Sequence, residues 1–156
     1  MRRPKYFLGV LFVLIIFASC QSPKLSTQNQ RIYVDGSEMV AEAKKVIHEI
    51  SVVDFKNNYA GKENVYLIDV RTETEFEDGS IAGSVSIPRG VIEFRIGYDD
   101  FWNNFGTVPP GNNSPIILYC RSGGRSALAA KTLMQLGYTN VYSLQGGFNA
   151  WIVSNS

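Results

Sequence analysis

Ile116-Ile117-Leu118-Tyr119-Cys120-Arg121-Ser122-Gly123-Gly124-Arg125-Ser126 is an apolar run that ends in a thiol, turns through two glycines and opens a helix. A short apolar run bounded by turn residues fits a strand buried on both faces, as in a parallel sheet covered by helices. Cys120 then stands at the carboxyl end of a strand, where open α/β sheets bind ligands. Backbone N–H groups of the loop can turn inward around the sulfur. The first turn of the next helix adds unpaired N–H groups and the positive end of its dipole. Such a cradle holds an anion, and a thiolate or persulfide sulfur is an anion of the right size. A free cysteine titrates near about 8.5, and a helix N-terminus with adjacent arginines lowers that value. Arg121 and Arg125 flank the loop. Gly123 and Gly124 allow φ > 0 and close backbone approach. The competing reading is an inert core cysteine, since cysteine is among the most buried residue types. A core thiol needs neither the Gly-Gly turn nor the two arginines.

Outward from this stretch the chain alternates between helical and strand signals. Met39, Val40, Ala43, Val46 and Ile47 recur at helical spacing, which predicts a helix over 38–48. Ser51 to Asp54 is a capping box that opens a short helix to about Tyr59. Val65 to Val70 is a second apolar run. Thr72 to Glu75 is another capping box, with Gly79 as the stop, and Val85 to Ile87 is a short strand closed by Pro88. Val91 to Phe105 predicts a helix interrupted near Gly97, with Phe94, Ile96, Phe101, Trp102 and Phe105 turned inward. Val108 to Pro115 is a loop of Pro, Gly and Asn. Ser126 to Leu136 reads as a helix with Gly137 at its end, Val141 to Leu144 as the last strand and Phe148 to Val153 as the last helix. The fold class is α/β: a central parallel sheet with helices on both faces.

Cys120-Arg-Ser-Gly-Gly-Arg-Ser126 resembles the active-site loop of single-domain rhodanese sulfurtransferases. Leu67-Ile-Asp69-Val-Arg71, Glu75-Phe76 and Gly79-Ser-Ile81-Ala-Gly83-Ser-Val85-Ser-Ile87-Pro88 resemble the family's first strand and the segment after it. Gly137 to Trp151 resembles its C-terminal end. The resemblance covers roughly Ile50 to Val153 and departs at Ser80, where the family often has His. It implies a rhodanese-like domain in which Cys120 is the catalytic nucleophile and Arg121, Ser122, Gly123, Gly124, Arg125 and Ser126 bind substrate. It implies a thiosulfate-like anion as sulfur donor, a thiol or cyanide as acceptor, and no cofactor. A non-catalytic sulfur carrier or protein-interaction module is the rival from another class. The phosphatase signature encloses five residues between Cys and Arg, whereas Cys120 and Arg125 enclose four. That spacing sets a phosphatase or arsenate reductase well behind.

Asp69 and Arg71 admit two readings. They form a structural ion pair at a strand end, or Arg71 stands at the mouth of the Cys120 pocket and attracts the anionic substrate. Asp69 or Glu75 then pairs Arg125 and braces the loop. Trp151, Gly146 and Gly147 read as fold determinants rather than ligand contacts. His48 is the single histidine and has no second ligand candidate beside it, so no metal is expected.

The N-terminus carries a separate signal. Arg2, Arg3 and Lys5 precede an apolar run of thirteen residues, Tyr6 to Ala18. That length fits a secretory signal and is short of the roughly 20 residues that span a bilayer. Phe17-Ala18-Ser19-Cys20 resembles a bacterial lipobox, which implies cleavage before Cys20 and lipid on its sulfur. The competing readings are an ordinary cleaved signal or an uncleaved anchor. The expected organisation is therefore a signal peptide over 1–19, a polar tether over 20–37, a helical extension over 38–49 and the rhodanese-like domain over 50–154. Localisation would be the bacterial cell envelope, with a membrane contact through Cys20. Loss of 1–19 removes three of the 15 basic residues, leaving 12 against 14 acidic ones, a net of −2 on 137 residues. Such a chain forms one domain and offers no basic patch to nucleic acid. With Cys20 lipidated, Cys120 is the remaining thiol and no internal disulfide forms.

Overall fold

The computed structural model describes residues 31–156. Met1 to Gln30, with the signal segment, Cys20 and most of the expected tether, lie outside the described residues. Asp35 starts the fold. Its carboxylate accepts from the N–H groups of Ser37 and Glu38 and caps α1, Gly36–Lys44. β1, His48–Ile50, follows. Ser51 caps α2, Val52–Asn58, by accepting from the Asp54 N–H. β2, Tyr66–Asp69, leads to α3, Glu73–Glu77. The start of α3 is a reciprocal box: Thr72 Oγ1 accepts from the Glu75 N–H, and the Glu75 carboxylate accepts from the Thr72 N–H. β3 is only Val85–Ser86. A 3-10 turn, Arg89–Val91, runs into α4, Ile92–Arg95, and α5, Asp99–Asn103, comes next. β4 is Ile116–Tyr119, α6 is Gly124–Gln135, β5 is Val141–Leu144 and α7 is Gly147–Val153.

The five strands form one parallel sheet in the order β1-β5-β4-β2-β3. β4 is the middle strand and all four of its residues are buried. Its side chains alternate between two cores. Ile116 and Leu118 join Ile68, Trp102, Ala127, Ala130 and Leu133 on the α6 side. Ile117 and Tyr119 join Phe55, Leu67 and Leu144 on the other side, against Phe148 and Trp151 of α7. Each fully buried Ile or Leu contributes about 1.5–3 kcal/mol. The period of two also decides where the thiol emerges: Cys120 shares the face of Ile116 and Leu118, the face covered by α6.

Two expectations need correction. The helix expected over 38–48 ends at Lys44, and His48–Ile50 is an edge strand paired with β5. Ala43 and Ile47 are buried, Val40 packs on the α6-side core, and the compact unit spans Tyr33–Ser156. The segment is thus integral to the sheet, and α1 already begins inside the expected tether. His48 is exposed on that strand, its ring 6.0 Å from the ring of Tyr142. Secondly, the break near Gly97 is present, but the aromatics do not all turn inward. Trp102 is buried, whereas Phe94 is 79% and Phe105 50% exposed. The buried face is taken by Ile92 of α4 and by Ile96 at its C-cap, four residues apart, which turns Phe94 outward.

Candidate active site

The loop from Cys120 to Ser126 joins the end of β4 to the start of α6. Cys120 is 1% exposed. Its Sγ accepts from the Gly123 N–H at 3.2 Å and lies 3.7 Å from Ser126 Oγ. Burial pushes the thiol up. The N–H and hydroxyl of Ser126 and the N–H groups of Ser122 and Gly123 pull it down and prevail, so its pKa lies below the ordinary cysteine value. Gly123 has φ +98° and serves as the N-cap of α6. Of the two glycines it alone uses the left-handed region. Gly124 lies within α6, and a Cβ there would meet Val40 of α1 at 3.6 Å. Arg121 and Ser122 are exposed on the outer side of the loop.

Arg125 is the brace. Its Nη1 and Nη2 donate to the two oxygens of Glu75 at 2.6 and 2.8 Å. Hydrogen bonds from Arg125, set against partial burial, hold the Glu75 carboxyl down at about 2. Of the two partners considered for Arg125, the structure selects Glu75. Asp69 instead belongs to Arg71. The Arg71 Nε donates to both Asp69 oxygens, and Nη2 donates to Asp69 Oδ2 and to the Gly79 carbonyl, both at 2.6 Å. Arg71 is 5% exposed and its guanidinium stands 4.2 Å over the Phe148 ring. It is not an open cation at a pocket mouth. A buried carboxylate at the end of β2 has claimed it.

The back of the loop rests on the start of α7. Phe148 N–H donates to the Cys120 carbonyl at 2.7 Å and Asn149 N–H to the Arg121 carbonyl at 3.0 Å. A Cβ on Gly147, which has φ +59°, would overlap that Cys120 carbonyl oxygen. Gly147 therefore shapes the site from behind while remaining a packing residue. Ser143 is a member of the site that sequence reasoning passed over. It is fully buried in β5, and its hydroxyl lies 2.8 Å from Ser126 Oγ. The available signal was a lone serine in an otherwise apolar and aromatic strand, Val141 to Leu144. Lys44 was also missed: its ammonium pairs with Glu49 at 2.8 Å and flanks Gly123.

A buried thiol under converging N–H donors, in a loop with four residues between Cys and Arg, has a counterpart among known proteins. A family model described as the rhodanese-like domain matches residues 51–154. The chain belongs to that family. A sulfurtransferase of Allochromatium vinosum is 33% identical over 106 residues, covering 68% of this chain and 89% of that one. The thiosulfate sulfurtransferase GlpE of Shewanella oneidensis is 30% identical over 94 residues, 60% of this chain and 82% of that one. A solved structure from Rhodopseudomonas palustris, titled a protein of unknown function and possible tyrosine phosphatase, superposes with a TM-score of 0.66. It is 32% identical, with 81% of this chain and 96% of that one covered. The rhodanese-like homologues support sulfur transfer as the general class of chemistry.

Proposed function

We propose that the protein is a sulfurtransferase in which Cys120 carries sulfane sulfur as a persulfide. The observation that carries this reading is the Cys120 sulfur itself, held by the Gly123 N–H and the Ser126 hydroxyl with its titration lowered. The thiolate attacks the outer sulfur of a thiosulfate-like donor. A Cys120 S–S bond forms, the donor S–S bond breaks, and sulfite leaves with the electron pair. The loop N–H groups, fixed before the reaction, stabilise the resulting anion. A thiol or cyanide then takes the outer sulfur, and the Cys120 thiolate departs. Exposed Arg121 and Ser122 meet the incoming anion, while Arg125 keeps the loop in place through Glu75. Names among the relatives, a sulfurtransferase and a thiosulfate sulfurtransferase, favour this donor class. The four-residue spacing disfavours phosphate.

The same reading places the protein at a bacterial envelope through lipid on Cys20. Support comes from the charged start, the apolar run and Ala18-Ser19-Cys20. Cys20→Ala is expected to abolish acylation of the mature N-terminus, and an acylated, detergent-partitioning variant would contradict the anchor. For the chemistry, thiocyanate formation from thiosulfate and cyanide should be present in the wild type and lost in Cys120→Ser. A chain that takes up sulfur without turnover would instead favour the carrier role.

A further inference from the structure

Ser126 Oγ has three neighbours, Ser143 Oγ at 2.8 Å, the Gly123 carbonyl at 3.2 Å and Cys120 Sγ at 3.7 Å. A hydroxyl owns one proton and two lone pairs. If Ser126 gave its proton to Ser143, neither the carbonyl nor the sulfur would receive it. The Ser143 proton would then be stranded, because Ser126 is the side-chain partner of its fully buried hydroxyl. Such a stranded donor is costly. The arrangement that satisfies every group runs the other way: Ser143 donates to Ser126, and Ser126 donates onward. When the sulfur is neutral, the onward proton has the Gly123 carbonyl. When the sulfur is charged, the charge-assisted bond to Sγ competes for it.

We propose that Ser143 is a positioning residue for the Cys120 thiolate, its hydroxyl donating to Ser126 and so freeing the Ser126 proton for Sγ. This deepens the sulfur-transfer reading and rests on it, since the thiolate is both the nucleophile of the first step and the leaving group of the second. Register explains why position 143 can do this. Ser143 lies opposite Leu118 of β4 and Glu49 of β1, on the sheet face where α6 brings Ser126 down. The charged groups around the loop have ion-pair partners of their own, and Arg125 also interacts with the Cys120 sulfur. Arg125 on α6 holds Glu75 of α3, Lys44 on α1 holds Glu49 of β1, and Arg71 holds Asp69. Arg121 points out into solvent. Ser143 is a partner in none of these pairs.

The test is the pH dependence of Cys120 alkylation by iodoacetamide, which uses no sulfur donor and so stays informative even if persulfide formation fails. Ser143→Ala should move the midpoint upward by roughly half a pH unit, the worth of one hydrogen bond. Ser126→Ala should move it at least as far, and the double variant no further than Ser126→Ala alone. Ser143→Thr, which keeps the hydroxyl, should titrate like the wild type, while Ser143→Val, of nearly the same shape, should titrate like Ser143→Ala. The Thr and Val pair decides the matter if the alanine variant does not fold. A wild-type midpoint in Ser143→Ala or Ser143→Val, or a double variant whose shift is the sum of the singles, would overturn the proposal.

Discussion

Arg125 and Glu75 meet as a two-pronged pair, with Nη1 to Oε2 at 2.6 Å and Nη2 to Oε1 at 2.8 Å. The pair joins the first turn of α6, which carries the Cys120 cradle, to the first turn of α3, whose capping box uses the same carboxylate. One side chain thus fixes two helix starts. Bidentate, charge-assisted pairs of this kind are both stronger and more directional than single contacts.

Arg125→Ala should therefore lose stability and activity together. Both side chains are partly exposed, so the stability loss is about 1 kcal/mol. The pair also carries a pH signature. Glu75 is depressed from 4.5 to about 2 in the fold. Its contribution is complete above the unfolded value and is lost as pH falls through the window between 4.5 and about 2. Urea midpoints at neutral pH and across that acid window should fall more steeply in the wild type than in Arg125→Ala. Parallel acid profiles would contradict the brace.

Arg71 belongs to a different category of effect. Removing it leaves the buried Asp69 carboxyl without its partner. Arg71→Ala should lose about 3–5 kcal/mol, as when one half of a buried pair is deleted. The KM for thiosulfate in the remaining folded fraction should keep the wild-type salt dependence. Wild-type stability with a raised, less salt-sensitive KM would return Arg71 to the substrate site.

The family match begins at residue 51, yet α1 and β1 precede it. A chain starting at Ser51 loses the strand on β5, the buried Ala43 and Ile47, and Val40 against Gly124. It should melt well below a chain starting at Tyr33, with a loss of at least about 3 kcal/mol from the apolar burial alone. Equal melting temperatures would show the N-terminal elements to be dispensable.

Most of the sheet and the cradle were legible because their signals are local. Ile116 to Tyr119 is apolar without interruption, Gly123 and Gly124 follow the thiol after Arg121 and Ser122, and Thr72 to Glu75 spells its own cap. What escaped depends on distant partners. A three-residue edge strand such as β1 has too little length to show a period, and only the edge of β5 makes it a strand. Phe94 faces outward because α4 is a single turn whose buried side is taken by Ile92 and, at its C-cap, Ile96. The partner of Arg71 was among the pairs considered, but its burial required Gly79 and Phe148 to close over it. Ser143 and Ser126 meet only when α6 packs across β5, a contact that no sequence spacing states.

The central claim is that Cys120 carries the transferred sulfur. Its most direct measure is the mass of the protein, and of the peptide containing Cys120, after incubation with thiosulfate. One added sulfur, about 32 mass units, should appear on that peptide and disappear with cyanide or dithiothreitol, as a covalent intermediate requires. Cys120→Ser should fold normally and gain nothing. A wild-type peptide that stays unmodified under turnover conditions, or a serine variant that transfers sulfur at the wild-type rate, would contradict the account.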